Sequence, residues 1–139
     1  QAKDNGATPL FVACKMRNLE EAQLLLSKKN INPNSALNDG VSPLFQACAD
    51  GNSSVVNLLV QARGIDINQC TRKNQTPINI ACKHGHKDIV RVLLRLRNLD
   101  VRKKDAWDQT PLKSAQKEGH EKIAIKINEY MKFGPKKLR

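Results

Sequence analysis

Four short motifs, Thr8-Pro9-Leu10, Ser42-Pro43-Leu44, Thr76-Pro77-Ile78 and Thr110-Pro111-Leu112, follow one another at intervals of 34 residues. Six prolines scattered at random would hardly fall into that phase. A fixed period of this length marks a stack of like units. Other positions keep the same phase: Ala13, Ala47, Ala81 and Ala115; Leu25, Leu59, Leu93 and Ile127; Gly51, Gly85 and Gly119.

Each motif reads as a helix start. The Ser or Thr oxygen can accept the first free amide, and Pro at the first helical position has no amide to leave unpaired. Short helices are therefore expected from about Pro9, Pro43, Pro77 and Pro111, ending at Arg17, Gly51, Gly85 and Gly119. Second helices are expected after Asn18, Asn52, His86 and His120, with Asn18 and Glu21 approximating a capping box. The second helices carry Leu24-Leu25-Leu26, Leu58-Leu59-Val60 and Val92-Leu93-Leu94, which with Ala22, Val56 and Val90 give each an apolar face. One helix pair cannot bury such a face alone, so neighbouring pairs must stack. Between the pairs, Gly6, Gly40, Asn74 and Asp108 recur in phase, and all are residue types that tolerate positive φ. They predict tight turns at the tips of hairpin-like fingers on one side of the stack.

Composition agrees. The chain has 139 residues, 40% hydrophobic but only 4% aromatic, so its core must rest on Leu, Ile, Val, Ala and Cys, which favours helices. No apolar run reaches the 18 residues a membrane span needs, and the first residues lack a signal-peptide core. Four cysteines, at 14, 48, 70 and 82, are too sparse for a disulfide-built fold and point to a reducing, intracellular setting, cytoplasmic or nuclear. The sequons Asn52-Ser53-Ser54 and Asn74-Gln75-Thr76 argue weakly the other way and are discounted.

Taken together, Thr-Pro-Leu, the Ala that follows, Gly-His, an apolar run and an Asx-rich turn resemble the ankyrin repeat, most closely from Gln75 through Thr76-Pro77-Ile78 and Gly85-His86 to Val90. The resemblance covers about the whole chain. It implies an all-α ankyrin-repeat solenoid, one domain over residues 1–139, with repeats at about 4–37, 38–71, 72–105 and 106–133 and a basic tail at 134–139. Where the family has Gly-Ala-Asp after the second helix, this chain has Asn30-Ile31-Asn32, Gly64-Ile65-Asp66 and Asn98-Leu99-Asp100, preceded by one extra residue.

The last repeat replaces Leu24, Leu58 and Val92 by Lys126, Leu26, Val60 and Leu94 by Asn128, and the cysteines by Gln116. On the expectation that these positions face a following repeat, they form a polar C-terminal cap. The last helix is expected to run through Tyr130 toward Phe133 and stop at Gly134-Pro135, leaving Lys136-Lys137-Leu138-Arg139 as a disordered tail. No polar helix precedes the first repeat, which predicts further repeats upstream in a longer protein.

Two features only look chemical. Cys14, Cys48 and Cys82 sit at equivalent positions of repeats roughly 8–10 Å apart, too far to bridge, and read as small residues where helices meet. Cys70, in a finger, is expected to be exposed and oxidisable. In Cys82-Lys83-His84-Gly85-His86 the cysteine should point inward, so a metal is not expected, and His86 is read as satisfying loop amides. No nucleophile stands at an interpretable spacing from a base, so neither catalysis nor a cofactor is predicted.

The net charge of +11 is uneven: +2 over residues 1–34, −2 over 35–68, +6 over 69–102 and +5 over 103–139. The resemblance implies that partners meet the finger tips and the exposed side of the first helices. Carried over residue by residue, that surface comprises Asn38, Asp39, Val41, Gln46, Ala49 and Asp50 in the second repeat, and Arg72, Lys73, Gln75, Ile80, Lys83 and His84 in the third. In the fourth it comprises Lys104, Ala106, Trp107, Gln109, Lys113 and Lys117. Trp107, at a finger tip among lysines, has the character of a binding hot spot; its alternative is packing against the preceding finger.

The expected function is a monomeric, non-catalytic module that binds a partner protein through an acidic or mixed segment. Arg72, Lys73, Lys83, Lys104, Lys113 and Lys117 would supply charge, and Trp107 and Ile80 apolar anchoring. A nucleic-acid or anionic-lipid binder is the rival, for which Arg91, Arg95 and Arg97 form a second basic cluster; recruitment of substrate to an enzyme elsewhere in a longer chain is a third.

Overall fold

In a computed structural model, which describes residues 4–135, the Pro-initiated segments are helices and no strand occurs among the described residues. The helices form four pairs: α1 (Pro9–Lys15) with α2 (Leu19–Leu26), α3 (Pro43–Asp50) with α4 (Ser53–Val60), α5 (Pro77–His84) with α6 (Lys87–Leu94), and α7 (Pro111–Lys117) with α8 (Glu121–Phe133). First helices pack on first helices and second on second, giving two layers.

The caps follow the predicted chemistry. Thr8, Ser42, Thr76 and Thr110 each accept the amide three residues on, at 3.0–3.2 Å. Asn18 and Asn52 do the same for α2 and α4, whereas His86 and His120 form no side-chain cap. The Asn18–Glu21 box is only half made, because Asn18's own amide donates to the Ala13 carbonyl. Arg17, Gly51, Gly85 and Gly119 all take positive φ at the ends of the first helices, with Arg17 at 60°. The finger positions Gly6, Gly40, Asn74 and Asp108 also take positive φ, between 59° and 87°.

The core runs through the stack: Leu10, Leu44 and Ile78 from the first helices; Val56, Leu59, Val90, Leu93, Ile123 and Ile127 from the second. Three ladders tie successive repeats together. At the finger tips the amides of Asn38, Arg72 and Ala106 donate to the carbonyls of Asn5, Asp39 and Lys73, at 2.8–3.1 Å. At the helix junctions, His86 Nε2 donates to the Ala49 carbonyl and His120 Nε2 to the Lys83 carbonyl, both at 3.2 Å. His86 thus satisfies a carbonyl of the preceding repeat, not the loop amides expected of it. At the far loops, Asn34 and Asn68 each bridge the next repeat, donating to the carbonyls of Gly64 and Asn98 and accepting the amides of Asp66 and Asp100.

Close approach explains the glycine at these junctions. A Cβ on Gly51 would stand 2.8 Å from His86 Cε1, and one on Gly85 2.6 Å from His120 Cε1; Gly119, in the last repeat, has nothing within 4 Å.

At the ends the expectations are partly corrected. Gln116 and Asn128 are exposed, as a polar cap requires. Leu24, however, is 60% exposed in the first repeat while its equivalents Leu58 and Val92 are half-buried. That position therefore faces the preceding repeat, not the following one, and Lys126 is half-buried there instead of lying on the terminal face. The last helix runs to Phe133 and ends at Gly134; the tail Lys136–Arg139 lies outside the described residues. Asn52, in one sequon, is buried and committed to capping α4, a poor glycan acceptor.

Candidate functional site

Each of the last three fingers is a four-residue turn closed by its own chemistry. In the fourth repeat the Asp108 amide donates to the Asp105 carbonyl and the Asp105 amide to the Gln109 carbonyl. The buried Asp105 carboxylate accepts the amides of Trp107 and Gln109, both at 2.9 Å. A carboxylate holding two backbone amides fixes the loop, so the indole beside it is presented on a rigid tip. Thr71 does the equivalent work in the third finger through its hydroxyl, which accepts the amides of Lys73 and Gln75.

On this scaffold most of the expected site residues reach the surface. Arg72, Lys73, Lys83, His84, Lys104, Lys113 and Lys117 are exposed, and Gln75 and Gln109 half-buried. Trp107 is 54% exposed and carries Lys73 Nζ at 5.1 Å from its ring centroid. The preceding finger thus lays a cation on the indole, while about half of the residue still faces solvent. Such an exposed cation–π contact contributes about 0.5–1 kcal/mol.

Ile80 is a correction. It is 6% exposed and lies in the core cluster, so it anchors the stack and offers no surface. The position is turned toward the neighbouring repeat, as its equivalent Ser114 shows: the Ser114 hydroxyl donates to Asn79 Oδ1 at 3.1 Å. Asn79 also donates to the Gln109 carbonyl at 2.9 Å, forming a buried polar clasp between α5, α7 and the fourth finger. Nothing in the spacing of Asn79 marks it out, since its counterparts are Phe11, Phe45 and Lys113.

Electrostatically the basic end is milder than a count suggests. Asp108 lies 3.4 Å from Lys104 and 4.0 Å from Lys113. Lys83 and Lys117 make no ion pair among the described residues. Partial burial lowers the pKa of His84, helped by His86, whose ring is 5.9 Å away, and by Lys83. In the acidic half, Asp50 is held by Lys15 at 3.2 Å and by the Gln46 amide at 2.9 Å. The face thus changes from a compensated first half to an under-compensated positive second half.

Among the described residues, no group of three or more His, Cys, Asp or Glu could hold a metal ion. Cys82 is buried and His86 is spent on Ala49. Burial raises the thiol of Cys14 to about 11 and that of Cys82 to about 12; Cys48 is raised by burial and then by the adjacent Cys82. Cys70, expected to be exposed, is half-buried with Sγ 3.9 Å from Asn74 Oδ1. No helix among the described residues is long and apolar enough to cross a membrane.

A family model described as ankyrin repeats in three copies matches residues 1–70 and again residues 51–131. Among curated proteins, none matches the chain significantly.

Proposed function

Because the chain belongs to the ankyrin-repeat family, whose members generally act as protein–protein interaction modules, we propose that it is a non-catalytic binding module. Its partner is a protein that lays an acidic or mixed segment across the finger tips and first helices of the third and fourth repeats. The observation that carries the reading is Trp107, half-exposed on a tip that Asp105 holds rigid, under Lys73 and beside Lys104, Gln109 and Lys113. A large aromatic surface held in place at no ordering cost is what a hot spot needs. The exposed charges of Arg72, Lys83 and Lys117 speed encounter and select acidic partners. The buried, unpaired cysteines suit a reducing compartment inside the cell.

The test is capture of partners on immobilised wild-type protein beside a Trp107→Ala, Lys117→Glu variant whose melting temperature is within a few degrees of wild type. Partners held by wild type and lost with the variant support the reading. Capture that is equal on both contradicts it. Retention of nucleic acid with a steep salt dependence would favour the rival electrostatic binder.

A further inference from the structure

The second helices α4, α6 and α8 each pack on the second helix before them, while the matching side of α2 is uncovered. On α2 that side is the stripe Glu21, Leu24, Leu25 and Lys28, spaced as neighbours on one helix face. Its first position is Val55, Ile89 and Ile123 in the later repeats, each at most 1% exposed. Its last is Ala62, Leu96 and Tyr130, all half-buried.

In the first repeat alone, charges therefore stand at both ends of a leucine pair. Glu21, Leu24 and Lys28 are exposed, and Leu25 is half-buried where Leu59, Leu93 and Ile127 are fully covered. Neither Glu21 nor Lys28 forms an ion pair among the described residues. A helix pair stacked here in the register of the others would take the Glu21 carboxylate out of water at a position that is elsewhere dry, which is costly.

The stripe is complementary to itself. Leu24 and Leu25 lie midway between Glu21 and Lys28, so a second α2 laid antiparallel sets leucine on leucine at the centre and Glu21 against Lys28 at both ends. Self-complementarity about a two-fold axis is what a symmetric dimer contact requires. Long-range charge does not oppose the approach of these ends. Residues 1–34 and 35–68 carry +2 and −2, and the whole net charge of +11 lies in the far half of the chain.

We propose that two copies of the chain associate through this face as a two-fold dimer instead of remaining monomeric, with α2 antiparallel to α2, Leu24 and Leu25 on the axis, and Glu21 of each copy paired with Lys28 of the other. The contact leaves the fingers of the third and fourth repeats uncovered, so it stands independently of the partner surface proposed above and doubles the edges offered to a bivalent partner.

Sedimentation velocity of the 139-residue chain at concentrations up to about 500 µM is the test. Two leucines per copy make a patch at the small end of specific interfaces, so a dissociation constant on the order of 10–100 µM is expected. Glu21→Lys alone and Lys28→Glu alone each set like charges together at both ends and should weaken association at least about tenfold. An equimolar mixture of the two variants, in which every end again joins opposite charges, should restore it. Leu24→Lys should leave only monomer with the melting temperature unchanged, since Leu24 is exposed and the fourth repeat carries Lys126 at this position. A wild-type chain that stays monomeric at the highest concentration, a dimer that survives Leu24→Lys, or a mixture that associates no better than the single variants would overturn the proposal.

Discussion

Replacing Gly85 with Ala and, separately, Gly119 with Ala distinguishes a local backbone effect from coupling between repeats. Both glycines end a first helix with nearly the same φ, 75° and 78°. An L-residue there costs about 1–2 kcal/mol, offset by about 0.4–1 kcal/mol because alanine has less freedom to lose than glycine. Gly119→Ala has no neighbour to disturb, so a loss of about 1 kcal/mol is expected. At Gly85 the new Cβ would sit 2.6 Å from His120 Cε1, forcing the imidazole away and breaking its bond to the Lys83 carbonyl. A lost hydrogen bond adds about 1 kcal/mol, and lost packing more, so Gly85→Ala should cost about 2–3 kcal/mol. Equilibrium urea unfolding of the two variants measures the difference directly. In a His120→Ala background the obstruction is gone, and Gly85→Ala should fall back to the cost of Gly119→Ala. Equal costs for the two glycine variants in the wild-type background would refute the claim that the histidine ladder couples adjacent repeats.

Asn79→Leu should destabilise by about 2–3 kcal/mol, because it strands the buried Ser114 hydroxyl and the Gln109 carbonyl, and adding Ser114→Ala should restore part of the loss in the same unfolding assay. Trp107→Ala should lower stability by no more than about 1 kcal/mol, read as a shift of about 3–5 °C in melting temperature, since the ring is half-exposed and its main contact is Lys73. Alkylation of the native chain should reach Cys70 first, with Cys14, Cys48 and Cys82 reacting only on unfolding, as mass spectrometry would count. Those buried thiols hold their protons above the ordinary 9.0, so the folded chain binds more protons than the unfolded one between about pH 9 and the raised values. Stability is then intact below pH 9 and lost as pH climbs toward 11, and alanine at positions 14, 48 and 82 should flatten that alkaline slope.

The helices and turns were legible because their signals are local. Thr-Pro and Ser-Pro set a cap and a first residue within two positions, and Gly, Asn and Asp announce positive φ on their own. What the sequence concealed depends on residues 30 to 37 positions away. Nothing near Leu24 says which neighbour it faces; only its exposure in the first repeat, against burial of Leu58 and Val92, does. Ile80 sits on the first helix of its repeat with exposed Lys83, yet the packing of α5 against its neighbours buries it. His86 and His120 bond to carbonyls of the preceding repeat, a partnership that no spacing within one repeat records. The neutralising part of Asp108 was hidden in a residue read only as a turn former. The interaction face itself came from the family likeness.

The account rests on successive repeats being locked into one array, so that separate fingers act as a single presenting edge. Amide hydrogen exchange at Arg72 and Ala106 tests this most directly, because both residues are exposed and their amides bond only to the neighbouring finger. Protection close to that of the helical core is the predicted result. Exchange at the rate of an unfolded chain, with the helices still protected, would mean that the fingers move independently and would contradict the account.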